Sequence, residues 1–272
     1  MPGARRITVH MQHTGSHIAA LAALGVAAGC QAGQSYHGYA YGGADNRLLY
    51  QETHWLYTED GVEHRLVVYS CPDGEPFVRK RINSAPGPVT PDVELFDARR
   101  GYREGVRTLA GGREVFAQSD ARAPERRVPL PSPAPANAVI DAGFDAFVRS
   151  HWDSLSAEGV APLAFLVPSE LRYLDFSARR LRDQPSADGE LRWFRLQLAS
   201  WYGFAVRHID VAYDKQTHEL REYSGVSNIR DGEGRNVSVT IRFARSEQRG
   251  DVSAAEVERA AAQPLTGRCL LQ

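Results

Sequence analysis

Histidines close to carboxylates are the residues of this chain best suited to chemistry, because an imidazole beside an acid can relay a proton or hold a metal. Two groupings carry the pattern. Glu52 and His54 alternate along one expected strand face, with His64 on the partner strand near Trp55 or Tyr57, depending on register. His208 and Asp210 share another face, with His218 across the next turn. A metal site needs three or four ligands converging on one point. Neither grouping supplies that convergence, so both read as polar positions on solvated strand faces, and no metal is expected. His151, beside Trp152 and Asp153, has no nucleophile that can be placed near it and reads as a structural residue of a helix. Asp231, Glu233 and Asn236 in NIRDGEGRN echo a calcium loop, but the terminal bidentate Glu is missing and Arg230 and Arg235 intrude, so an exposed hairpin turn is the better fit. There is no Gly-x-Ser-x-Gly elbow, phosphate loop, dinucleotide fingerprint, His-Glu-x-x-His or Cys-x-x-Cys. The expectation is a protein that is not an enzyme and carries no cofactor.

What remains are apolar faces, and these depend on the elements that present them. Leu48 to Tyr57 and Val62 to Ser70 alternate as half-buried strands around a Thr58–Gly61 hairpin signal. Phe77 to Ile82 follows, basic on one face through Arg79 and Arg81, then the weaker strands Val93 to Phe96 and Arg113 to Gln118. The five prolines between Ala123 and Asn137 forbid helix interior and central strand, leaving an extended crossing segment or an interdomain linker. Asn137 then caps one long core helix, 138–158, in which Ile140, Phe144, Phe147, Val148, His151, Trp152 and Leu155 repeat on one face. Strands return at Ala164 to Val167, Tyr173 to Arg180, Leu191 to Ser200, His208 to Tyr213, Glu219 to Gly225 and Val237 to Phe243. A short helix begins at Ser253, with Glu256 completing a capping box.

This order predicts an α+β fold: a curved, mainly antiparallel sheet wrapped around one long helix. It resembles the half-barrel of LolA-like lipoprotein carriers; a β-sandwich or lipocalin-like barrel is the competing architecture. A single helix about 10 Å across cannot cover five or more strands spaced about 4.8 Å apart. The uncovered groove would be filled by ligand, by the first meander or by a partner. Phe194, Leu198, Val211 and Ile241 are the candidate ligand-binding residues. The chain has 272 residues and a formal net charge of -1, which gives no general attraction to nucleic acid.

The N-terminus reads as an address. Arg5 and Arg6 precede the uncharged run Ile18 to Ala28, about 16 Å as a helix and too short for a hydrocarbon core of roughly 30 Å. Val26-Ala27-Ala28-Gly29-Cys30 resembles the lipobox of bacterial lipoproteins, with Ala27 where leucine is usual. The resemblance implies removal of residues 1–29 as a signal peptide and acylation of Cys30; ordinary cleavage near Ala28, giving a soluble periplasmic protein, is the alternative. By the same resemblance, Gln31 points to the periplasmic face of the outer membrane. Residues 30–46, rich in Gly, Tyr and small polar residues, read as a flexible tether before a single β-rich domain, 47–272. With Cys30 acylated, an oxidising compartment favours a Cys71–Cys269 disulfide over two separate thiols. Two functions fit this outline: a binding module for an apolar ligand or lipid, or a structural or assembly lipoprotein that meets other envelope proteins.

Overall fold

The computed structural model describes residue 3 and residues 31–271, apart from 43, 158, 188 and 200–207. The signal peptide and Cys30 therefore lie outside the described residues, Gly3 excepted. In chain order the strands are β1 Gln31–Gly42, β2 Arg47–Glu59, β3 Val62–Ser70, β4 Pro76–Asn83, β5 Asp92–Asp97, β6 Tyr102–Leu109, β7 Gly112–Gln118, β8 Arg126–Pro129 and β9 Ala138–Ile140. After helices α1 Gly143–Ser150 and α2 Trp152–Ser156 come β10 Val160–Val167, β11 Arg172–Ser186, β12 Gly189–Leu198, β13 Ile209–Asp214, β14 Leu220–Arg230, β15 Asn236–Arg242, β16 Arg249–Val252 and helix α3 Ala254–Ala262.

All sixteen strands of the described residues belong to one open sheet. From edge to edge the order is β8-β7-β6-β5-β4-β3-β2-β1-β15-β14-β13-β12-β11-β10-β9, with β16 also paired to β1. Every pairing is antiparallel except β9 with β10. Two arms thus meander away from β1: a first arm, β2–β8, and a second, β15 back to β9. The proline-rich crossing segment runs between the outer edges of the arms. The β9 end of the second arm reaches back to the first, because the Ile140 N–H donates to the carbonyl of Val89 in the β4–β5 loop at 3.1 Å and Gly143 lies so close to that carbonyl that a Cβ would sit 2.0 Å from it. Val93, Val106 and Val115 of the first arm pack there with Ile140, Leu166 and Leu171. The sheet is therefore curled into a barrel-like shape.

Three expectations are corrected. The tether is instead β1, paired with β2 on one side and β15 on the other; its glycines serve packing, since a Cβ on Gly38 would strike the Phe243 ring at 2.4 Å. The long helix 138–158 is instead a short strand and two short helices. β-branched Val139 and Ile140 pair with β10, and Asp141 adopts φ 44°, outside the helical region, while its side chain is held by Lys80 and Asn228. The chain bends again at His151, whose Nδ1 meets the Phe147 carbonyl at 3.0 Å. The sheet consequently does not wrap one long helix, and the LolA-like picture of a half-barrel around such a helix does not describe it. The helix-face residues nevertheless lie together. Phe144, Phe147, Val148, Trp152 and Leu155 are buried on Leu163, Ala178, Phe194, Leu196 and Val211 of the second arm.

Helix α3 lies on the other face of the first arm, where Val257 and Ala260 cover Trp55, Leu66 and Val68. Both faces of β3 are buried there, so Leu66–Tyr69 is a continuous apolar run. Ser253 Oγ accepts from the Glu256 N–H at 3.3 Å, an N-cap contributing about 1 kcal/mol. Arg79, on the outer face of β4, donates to the Gln263 carbonyl at the helix C-terminus. Cys71 and Cys269 are joined in a disulfide, which fixes the C-terminal tail to the β3–β4 turn across 198 residues. Leu271 is buried beside it.

Candidate functional site

Inward positions follow from the register. On β2, Tyr50, Glu52 and His54 point the same way; opposite them on β3 are Ser70's neighbour Tyr69, paired with Glu52, and Val67, paired with His54. Lys80 of β4 pairs with Val67 and so shares that face. Glu52, His54, Val67, Tyr69 and Lys80, with Arg65 and Ile82, form one wall of a cavity of about 210 Å³. Phe165, Leu196, Ile209, Val211, Leu220 and Ile241 form the facing wall, and Asp141, Phe144 and Asp145, from the stretch leading into α1, close it.

The polar wall is ordered. His54 Nε2 lies 2.9 Å from Glu52 Oε2, a contact that places the ring proton on Nε2. The ring stacks on Tyr36 at 4.4 Å between centroids and meets Phe243 edge-on at 5.8 Å. Nδ1 is buried without a partner among the described residues. Burial pushes the His54 pKa down, against the hydrogen bond and charge of Glu52, so the ring is held neutral. Lys80 Nζ donates to both Asp141 oxygens at 3.0 and 3.1 Å. Asn228 Nδ2 and the Ala142 N–H complete that carboxylate at 2.9 and 2.7 Å. Burial works to raise the Asp141 pKa, but the Lys80 ammonium and these hydrogen bonds outweigh it and hold the group below the usual carboxylate range. Further along β6, Glu104 is also buried; desolvation raises its pKa, against the 2.6 Å hydrogen bond from the Tyr102 hydroxyl.

Arg65 and Asp145 are partly exposed residues of the lining, their side chains 20% and 16% exposed. Two outer hollows, of about 280 and 390 Å³, share both residues as wall. Arg65 Nη2 is 3.8 Å from Asp145 Oδ2, an oxygen that Arg149 also contacts.

Of the four expected ligand-binding residues, Val211 and Ile241 line the cavity. Phe194 lies beneath Trp152 and Tyr213 in the helix-covered core, and half-buried Leu198 pairs with Phe176 away from the lining. The reading of Glu52 and His54 as a solvated face is corrected: both are buried inside the barrel. His64 stacks on Tyr57 at 5.4 Å, and His218 on Trp152 at 3.8 Å, away from Asp210, which His208 approaches to 3.5 Å. Among the described residues no three His, Cys, Asp or Glu converge as a metal site. In the β14–β15 turn, Asp231 accepts from the Glu233 and Arg235 N–H groups. Arg65, Lys80, Asp141 and Asp145 were not singled out from the sequence. The only signal available was their charge inside otherwise apolar, alternating segments.

No family model matches the chain, and no curated protein matches it. Among solved structures, a β-barrel-like protein of domain of unknown function DUF1849 from Brucella abortus matches at 7% identity and a TM-score of 0.46, covering 82% of this chain and 98% of its own. A DUF1329 family protein from Desulfovibrio piger matches at 12% identity and a TM-score of 0.27, covering 85% of this chain and 91% of its own.

Proposed function

We propose that this protein is an exported lipoprotein, anchored through Cys30 at the periplasmic face of the outer membrane, that binds a small apolar or amphiphilic molecule inside its barrel. The observation that carries the reading is the cavity, mainly apolar on the second-arm wall, where Ser227 and Asn228 are the polar exceptions, and furnished with a few fixed polar groups on the other. That composition is the usual one for small-molecule sites. Its volume exceeds the roughly 150 Å³ of a dry cavity that accepts benzene. Export and anchoring are supported by the short apolar run and the small residues before Cys30, and by a disulfide of the kind that persists in oxidising compartments. With β1 beginning at Gln31, the proposed anchor and the barrel are adjacent in the chain. Native mass spectrometry on protein extracted from its own membranes tests both parts. The expected spectrum shows a chain starting at an acylated Cys30 and a retained small molecule lost on activation. An unacylated chain would overturn the anchor; a protein that carries nothing, and takes up no octanol or other neutral amphiphile afterwards, would overturn the binding role.

A further inference from the structure

Within the cavity lining, Lys80 is held by two hydrogen bonds to Asp141, whereas Arg65 is held only by a long ion pair among the described residues. Its guanidinium has one ion pair, at 3.8 Å, and makes no hydrogen bond to the described residues. The side chain is 20% exposed and forms part of the cavity and of both outer hollows. An Arg fork offers five donors matched to the paired oxygens of a carboxylate or phosphate. We propose that Arg65 receives the oxyanion head, carboxylate or phosphate, of an amphiphile whose short apolar chain lies in the cavity; this rests on the binding-module reading above and names the ligand class.

Three features of the surroundings bear on that assignment. Asp145 beside Arg65 is negative, but Arg149 contacts the same carboxylate, so two guanidiniums face one carboxylate at the mouth. Of the lining carboxylates, Glu52 alone lacks a cationic partner among the described residues, because His54 is held neutral. The Glu52 backbone pairs with Tyr69, four residues or about 13 Å along β3 from Arg65 at some 3.3 Å per residue, and its carboxylate is taken up by His54. With an anionic head at Arg65, Val67, Tyr69 and the second-arm wall receive the chain. The size of that chain follows from the cavity. If six ring carbons fill about 150 Å³, the volume here takes roughly eight.

The test uses the full chain and four eight-carbon probes by calorimetric titration: octanoate, octyl phosphate, octanol and octylammonium. At least one of the anions should bind tenfold or more tighter than octanol, and octylammonium should bind no better than octanol. Whichever anion is preferred distinguishes carboxylate from phosphate. Arg65→Met should remove that tenfold advantage of the anion over octanol, each measured on the same variant with its fold checked by circular dichroism, and Arg65→Lys should restore part of it. Octanol or octylammonium matching the anions in the wild-type protein overturns the assignment without reference to any variant. So does Arg65→Met retaining full affinity for the preferred anion. If octanol binds but no head is preferred, the role of Arg65 falls alone; if none of the four binds, the binding-module reading falls with it.

Discussion

The two arms of the sheet build opposite interiors. Strands of the first arm turn Glu52, His54, Arg65 and Lys80 into the cavity beside Val67, Tyr69 and Ile82, with Glu104 buried further on; those of the second turn in mainly apolar groups, Phe165, Leu196, Ile209, Val211, Leu220 and Ile241, with Ser227 and Asn228 as polar exceptions. The second arm obeys the rule that apolar alternation marks the inner face. The first inverts it in part, and can do so because its outer face is also covered, by α3 over Trp55, Leu66 and Val68. A charged strand position is thus an unsafe guide to solvent wherever both faces are buried. Buried charge is tolerated here because each group has a counter-ion, a hydrogen bond or an opening.

The contrast predicts different responses in the two arms. Asp141→Asn leaves the Lys80 ammonium buried without its counter-charge, and should cost about 3–5 kcal/mol of stability in urea denaturation. Adding Lys80→Met should recover most of that loss; a double variant as unstable as the single one would show that Asp141 acts through its backbone conformation instead. On the apolar side, Val211→Phe places added volume in empty space. Stability should change by less than the roughly 1–3 kcal/mol of ordinary overpacking, while octanol affinity drops several-fold. Unfolding of that variant would mean the wall is closed core.

The smallest effect concerns pH. The folded His54 pKa lies below its unfolded value, so the unfolded chain takes up the proton first. The contribution is fully present above about pH 6.5 and is lost as pH falls from there through the folded pKa. His54→Asn should flatten the stability–pH curve on that acid side by at most about 1.4 kcal/mol per pH unit. An unchanged slope would place the titration elsewhere.

The parts legible in the sequence were those where local chemistry and tertiary context agree. Asp60 and Gly61 both take positive φ in the β2–β3 hairpin, and Ser253 caps α3. The spacing of Phe144, Phe147, Val148, Trp152 and Leu155 identified a shared core face although the helix is broken. β1 was missed because its inward residues include Gly38 and Ala40, small enough to admit Phe243 and Tyr50 and therefore without an apolar signature. β6 was missed for a related reason: inward Glu104 interrupts its pattern, and Gly105 is required by the close Val93 carbonyl. The cavity needed both arms, and no local pattern reports how distant strands meet.

That meeting has a kinetic cost. β1 joins the arms by pairing Tyr39 with Arg242, partners roughly 200 residues apart, and loop closure over such a separation is slow. Until β15 has been made and delivered, β1 has one unpaired edge and the first arm's interior charges lack the Asp141 and Asn228 that come later in the chain. A nascent first arm is accordingly a strand edge open to the wrong neighbour, and delivery of the late strands sets when aggregation ceases to compete with folding.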